Sequence, residues 1–364
     1  MRETPTGTNG AGEMSFHPDD TQAGLIELVA TILDKQSEDE RVAELDGKDG
    51  AWDEAAYAAL AEAGVLAAIV DDGDDGLGMV GLGLCLIEVG RHLARIPLAG
   101  SVVSAFSLAE AGLGDVVEQI AAGRLTAAPG LPSRLHSLRS DGDRLRGSIG
   151  IVPGGGAASH LLLADDEGQL WFVPAETTGI DIAPTGFAYD NDVSLSVDIG
   201  LETCRRLEGT DRTRLEARWR TALSAVAVGA CREAVARTAK YTSEREQFGK
   251  PLSSKQGVLH RAADAHIDNE CMQLTTLNAA SLLDSGEAGA FSAALEAAWW
   301  TATGGSRVVH ATQHLHGGMG ADLDNHIHRF FVLVREIGIV LGAADALLEE
   351  LGTEIVANVR EEQT

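Results

Sequence analysis

The sequence is short of aromatic rings, cysteines and basic side chains, and each shortage removes a class of protein. Phe, Trp and Tyr make up 4% of the 364 residues, so the core has to be built from Ala, Leu and Val, a composition that suits closely packed helices. Four cysteines, Cys85, Cys204, Cys231 and Cys271, stand far apart. That spacing gives neither a metal knuckle nor a disulfide framework, and a reduced, cytoplasmic protein is the expectation. Lys and Arg number 28 against 55 Asp and Glu, a formal charge of −27. Nucleic acid needs a basic face and an anionic membrane surface needs a polybasic one, so neither is an expected partner. No apolar run approaches the roughly 20 residues of a spanning helix, and the opening MRETPTGTNGAGEMSF has no signal-peptide core.

What is present is an ordinary globular balance, 45% hydrophobic and 23% charged. The pattern changes twice along the chain. Residues 1–20 lack periodicity and read as a flexible tail. From Thr21, Leu25, Leu28, Val29, Ile32 and Leu33 recur at helical spacing. Further helices are expected at Asp53–Ala63, stopped by Gly64, and at Leu82–Leu93 and Val102–Ala111, with the turn cluster Asp71–Gly78 between them. These define an N-terminal helical domain over 21–124. Over 125–205 the short runs Arg144–Val152, His160–Ala164, Leu170–Val173 and Val193–Val197 alternate between Gly, Asp and Pro punctuation, as in a small β-domain. Over 206–364 helical spacing returns. A long helix capped by Thr210 or Asp211 is expected to end near Tyr241–Glu246, and helices follow at 254–284, 287–313 and 325–351.

The common catalytic fingerprints fail. PGGG at Pro153–Gly156 has no following Lys-Ser/Thr, nothing reads GxGxxG between a strand and a helix, and HExxH and GxSxG do not occur. His310, His314, His316, His326 and His328 cluster in sequence but fit no standard metal-ligand spacing, so no metal is expected.

Two segments carry chemistry. In YTSEREQFGKPLSSKQ (Tyr241–Gln256) a helix end, an Arg, a Phe-Gly turn, a Pro and a new helix make a corner. Arg245 there suits a bidentate contact with a diphosphate. In QHLHGGMG (Gln313–Gly320) side-chain donors lead into paired glycines that let a ligand approach the backbone. Each has a plainer reading: Arg245 as a surface ion pair with Glu244 or Glu246, and Gly317–Gly318 as a helix break. The charge distribution favours the first reading. Residues 1–120 hold 6 basic and 23 acidic side chains, whereas residues 232–261 hold 7 basic and 3 acidic ones. An anionic cofactor finds its local field in the second stretch.

Together the segments resemble the two signatures of the acyl-CoA dehydrogenases: R-x-Q-F-G-x-P-[LI]-x-x-x-Q, and HLHGGMG followed by Asp324 and His328-Arg329. LAEAGVLAAIVDDGDDGLG (Leu60–Gly78) resembles the family's N-terminal segment. The resemblance implies an α+β fold with an N-terminal helical domain, a middle β-domain and a C-terminal four-helix bundle. It further implies FAD as cofactor, α,β-dehydrogenation of an acyl-CoA thioester, and electron-transfer flavoprotein as the electron acceptor.

Residue by residue, it assigns Arg245 to the FAD pyrophosphate, Gln247 and Phe248 to its flanks, and Gln256 to the support of the corner. Gln313, His316, Gly317 and Gly318 take the adenosine end. The family's two positions for a catalytic Glu fall on Trp219 and Leu341, so no catalytic residue is assigned; Glu216 and Glu336 are nearby in sequence. The family's flavin-ring motif is likewise replaced, by TAAPGLP at Thr126–Pro132. Keeping one half of the cofactor site and losing the other resembles the β-type subunit of the α2β2 steroid-side-chain acyl-CoA dehydrogenases of actinobacteria, whose homologous α-type partner supplies the base. A self-sufficient enzyme using Glu216 or Glu336, and a non-enzymatic scaffold, are the competing expectations.

Overall fold

A computed structural model describes residues 18–46, 48, 51–71, 76–185 and 192–361. Most of the expected tail, residues 1–17, and the middle of the expected turn cluster, residues 72–75, lie outside the described residues.

Helices come first: α1 (Asp20–Gln36), α2 (Asp39–Leu45), α3 (Glu54–Glu62), α4 (Val65–Val70), α5 (Gly78–Arg91), α6 (Leu98–Glu110) and α7 (Gly114–Ala121). A capping box opens α1, Asp19 accepting from the Gln22 backbone while the Gln22 side chain accepts from Asp19. Gly64, at φ +79, separates α3 from α4. The start of α5 has no cap of its own; the Asp284 carboxylate, distant in sequence, accepts from the Met79 and Val80 N–H groups at 2.6 and 2.9 Å.

Eight strands follow: β1 (Ala127–Gly130), β2 (Leu138–Asp141), β3 (Arg144–Val152), β4 (His160–Ala164), β5 (Leu170–Pro174), β6 (Ile180–Pro184), β7 (Val193–Gly200) and β8 (Arg205–Leu207). They form two four-stranded sheets, ordered β1-β4-β5-β8 and β2-β3-β7-β6, antiparallel except for β1 beside β4. The composition of β4 follows from its position. Leu161 and Leu163 face the second sheet, whereas Leu162 and Ala164 join the core shared with the helices. A strand covered on both faces reads as a continuous apolar run. In β7 only Val193, Leu195, Val197 and Ile199 are buried, and the residues between them are polar.

The rest is helical: α8 (Arg212–Glu244), a two-residue ladder β9 (Glu246–Gln247) with β10 (Lys250–Pro251), α9 (Gln256–Ser285), α10 (Ala290–Trp300), α11 (Ser306–Leu315), α12 (Ile327–Val340) and α13 (Ala344–Glu361). Asp211, rather than Thr210, caps α8 by accepting from Arg214 N–H at 2.7 Å. At 33 residues α8 is about 50 Å long, and α5, α9, α10 and α12 pack around it. Its contact with α5 is backbone to backbone. A Cβ on Gly90 would lie 1.9 Å from the Val226 carbonyl oxygen, and one on Gly229 would lie 1.8 Å from that of Ile87.

Two expected helices are broken. The stretch 287–313 is α10 and α11 joined through a π-helical turn, Thr301–Gly305. Gly304 and Gly305 sit against the Trp300 and Met272 side chains, and their lack of a side chain makes room for the wider turn. The stretch 325–351 is α12 and α13, divided where Gly342 and Ala343 take φ of +107 and +62. Among the described residues no helix is long and apolar enough to cross a membrane.

Candidate functional site: a cofactor corner and an acid-free cleft

The first signature folds into a tight hairpin. The α8 helix ends at Glu244 with Arg245 as its C-cap; the Arg245 N–H donates to the Tyr241 carbonyl at 2.9 Å, and Leu252 N–H returns to the Arg245 carbonyl. Phe248 and Gly249, at φ +58 and +74, make the two-residue turn between β9 and β10. Two left-handed residues in succession match the twist of a hairpin, and a phenylalanine in the first of them is strained. Phe248 is 93% exposed. Its ring is covered only by the Lys255 ammonium, 4.8 Å from the centroid.

Arg245, Glu246, Gln247 and Gln256 are all exposed. Arg245 makes no ion pair with Glu244, Glu246 or any other described carboxylate. The surface ion pair offered by its sequence neighbours is therefore not formed, and the guanidinium fork stays available to an external anion.

The second signature packs directly against the first. His316, buried at the end of α11, stacks on Tyr241 with ring centroids 4.5 Å apart and planes 16° apart. Its Nδ1 lies 2.8 Å from the Thr312 carbonyl, which calls for the tautomer with a proton on Nδ1. The Tyr241 hydroxyl donates to the Met319 sulfur at 3.7 Å. Gln313 closes the turn from behind, its Nε2 donating to the Gly320 carbonyl at 2.9 Å. Gly317 takes φ +60, and a Cβ on Gly317 or Gly318 would meet nothing within 4 Å. Unpaired cationic donors beside an open glycine turn fit an extended anionic group such as the diphosphate and adenosine of FAD.

The two family positions for the base meet elsewhere, on one cleft of about 690 Å³. Trp219 walls it from α8 and Leu341 from the end of α12; Pro129, Leu131 and Pro132 of the TAAPGLP segment form the opposite side. Thr126, at the head of that segment, is turned inward, its hydroxyl donating to the Ala157 carbonyl at 2.8 Å. Glu216 also borders the cleft, but its carboxylate is clamped by Arg212 at 2.5 Å and faces Arg220 at 3.7 Å. Arg220 in turn pairs with Glu350 at 2.9 Å. Glu336 is buried on a smaller cavity of about 70 Å³ that Trp219 also lines.

The two nearby acids thus fall on different cavities: Glu216 borders the larger cleft and Glu336 the smaller cavity. Sequence reading missed Tyr241, which stands one helical turn before Arg245, and Lys255, whose position over Phe248 follows only from the hairpin.

Helices on either side of a two-sheet middle, with the Arg245 corner joined to the glycine turn through Tyr241 and His316, define a protein of the acyl-CoA dehydrogenase class. The chain belongs to the acyl-CoA dehydrogenase family. Residues 214–355 match the family described as acyl-CoA dehydrogenase, C-terminal domain. Acyl-CoA dehydrogenase FadE27 of Mycobacterium tuberculosis is 29% identical over 94% of this chain and 99% of its own length. Among solved structures, a variant of the Tcur3481–Tcur3483 steroid ACAD is 32% identical over 93% of this chain and 99% of its own, with a TM-score of 0.86. The ChsE4–ChsE5 complex from M. tuberculosis is 28% identical over 94% and 99%, with a TM-score of 0.85.

Proposed function

We propose that this chain is the base-lacking subunit of a heteromeric, FAD-dependent acyl-CoA dehydrogenase, acting in the cytoplasm on a steroid-side-chain or other acyl-CoA thioester. A homologous α-type subunit completes the site in an α2β2 assembly, and electron-transfer flavoprotein takes the electrons. The observation that carries this reading is the split within one chain. The Arg245 corner and the Gly317–Gly318 turn are joined through Tyr241 and His316, while Trp219 and Leu341 occupy both base positions around the cleft. The composite make-up of the two solved relatives supports it, since one is a Tcur3481–Tcur3483 protein and the other a ChsE4–ChsE5 complex.

In this reading the residues over 206–364 supply the half-site. Arg245 neutralises the pyrophosphate through paired N–H donors, and Gln247 and Phe248 flank it. Gln256 supports the corner from the start of α9. Gln313, His316, Gly317 and Gly318 hold the adenosine end, the glycines allowing close approach of the backbone. FAD held by these residues would supply hydride acceptance from the β-carbon of the thioester. This chain's own base positions, Trp219 and Leu341, could not take the proton alpha to the thioester, so a carboxylate of the partner would have to do so.

Glu216 is a poor substitute. Two arginines compete for the lone pairs a base needs, and Glu336 faces a chamber far below the roughly 300 Å³ of a small-molecule site.

Purification alone and with its partner tests the reading. Alone, the chain should be colourless and inactive toward acyl-CoA; co-expressed with the α-type subunit, it should give yellow, active complex. Active yellow protein from this chain alone, abolished by Glu216→Gln or Glu336→Gln, would establish the self-sufficient enzyme instead.

A further inference from the structure

We propose that the stacked rings of Tyr241 and His316 are the positioning pair of the cofactor half-site, setting the angle between the Arg245 corner and the Gly317–Gly318 turn so that both engage one adenosine diphosphate moiety. The proposal rests on the half-site reading; it adds Tyr241 to that site and gives His316 the further task of orienting the turn.

The glycine turn cannot orient itself. Gly317 and Gly318 have no side chains, and the space where their Cβ atoms would project is open, so the direction of the turn is imposed from outside. His316 is the residue immediately before it. Two constraints fix that ring: the Nδ1 hydrogen bond to Thr312 at 2.8 Å and the face of Tyr241 at 4.5 Å.

Tyr241 reaches the other side of the turn as well, through its hydroxyl on the Met319 sulfur. Its backbone carbonyl holds the Arg245 N–H at 2.9 Å. One side chain therefore contacts both flanks of the glycine turn while its own peptide group holds the arginine.

Ordinary core packing does not account for the pair. Neither ring is among the apolar side chains that make up the two hydrophobic cores, and Tyr241 is only partly buried. The stack lies between the two signature segments and joins them. A tyrosine placed one turn before the arginine reaches the second segment because α8 runs past the end of α11.

The experiment uses the co-expressed heteromeric complex and reads FAD retention by flavin fluorescence during dilution. Tyr241→Leu should release FAD about 10- to 100-fold more readily, the penalty of misplacing a binding group by about 1 Å. Tyr241→Phe, which keeps the stack and drops only the contact to sulfur, should stay close to the parent. With saturating FAD added back, Tyr241→Leu should recover its kcat, since no reacting atom is touched.

Should Tyr241→Leu fail to assemble, His316→Ala leaves α8 intact and should likewise release FAD about 10- to 100-fold more readily, FAD retention being its readout. Arg245→Ala is run in parallel. If it releases FAD and the Tyr241 and His316 variants do not, the positioning role is wrong and the half-site reading stands. If Arg245→Ala retains FAD as well as the parent, the half-site reading itself fails. Loss of thermal stability in Tyr241→Leu with unchanged FAD retention would reduce the stack to a packing contact and overturn the proposal.

Discussion

Trp219 and Leu341 wall the same cleft, one from the long helix α8 and the other from the far end of α12. The resemblance to the family assigns its two catalytic-acid positions to these residues, and here one is an indole and the other an isobutyl group. The cleft survives at about 690 Å³ without a free carboxylate at either place.

Restoring an acid should not restore the reaction. Trp219→Glu and Leu341→Glu, each in the isolated chain, should show no acyl-CoA-dependent dye reduction, because in the proposed reading TAAPGLP stands where the family's flavin-ring motif would be. Trp219 is 5% exposed, so its replacement should also destabilise the chain by about 3 kcal/mol. Turnover by either variant alone would contradict the account of the lost ring site.

The Gly90–Gly229 contact makes the sharpest stability prediction. An added methyl at either position overlaps a backbone carbonyl on the facing helix, which cannot be relieved by a side-chain rotation. Gly90→Ala or Gly229→Ala should each destabilise by about 3 kcal/mol or more in urea unfolding. Gly24→Ala, with nothing within 4 Å of the added carbon, is the matched control and should be neutral or slightly stabilising.

Acid should weaken the tie between α2 and the C-terminal helices in two steps. Asp39 pairs with Arg237 at 2.7 and 3.0 Å and lies 3.8 Å from His326. Burial lowers the His326 pKa from 6.5, with the Arg329 and Arg237 charges adding to it and Asp39 opposing. Its neutral form is the one the fold favours, so this stability is complete above pH 6.5 and declines as pH falls below that value. His160, also lowered by burial, acts in the same direction.

Burial would raise the Asp39 carboxyl, but the Arg237 hydrogen bonds and charge outweigh it and hold the pKa below 3.8. That contribution is present above pH 3.8 and is lost as pH falls through the lower folded value. Thermal melts against pH should show a shallower slope below pH 6.5 in His326→Gln, and a smaller loss below pH 3.8 in Asp39→Asn. Unchanged acid limbs in both would remove these groups from the linkage.

How much of this was legible beforehand depended on whether the signal was local. The helices α1, α3 and α8 and the strands β3, β4, β5 and β7 announce themselves through periodicity and caps. Strand β6 (Ile180–Pro184) does not, because it is an edge strand whose residues are mostly exposed and its pattern lacks a buried face. Nor does the break at Gly342–Ala343, where Ala343 takes a positive φ that nothing in its own chemistry suggests.

The two signature segments were readable as motifs, but their union was not. Tyr241 and His316 meet only because α8 and α11 lie side by side. The missing acids were readable by alignment to a family pattern; that Trp219 and Leu341 share one cleft required the fold.

The central claim is that this chain owns half of a cofactor site, and the flavin-to-protein ratio of the native complex tests it most directly. Denaturing the purified complex, counting released FAD by absorbance and weighing the two chains by quantitative amino-acid analysis should give one FAD per pair of unlike chains. One FAD per polypeptide, in a complex of unlike chains or in a homo-oligomer of this chain, would contradict it.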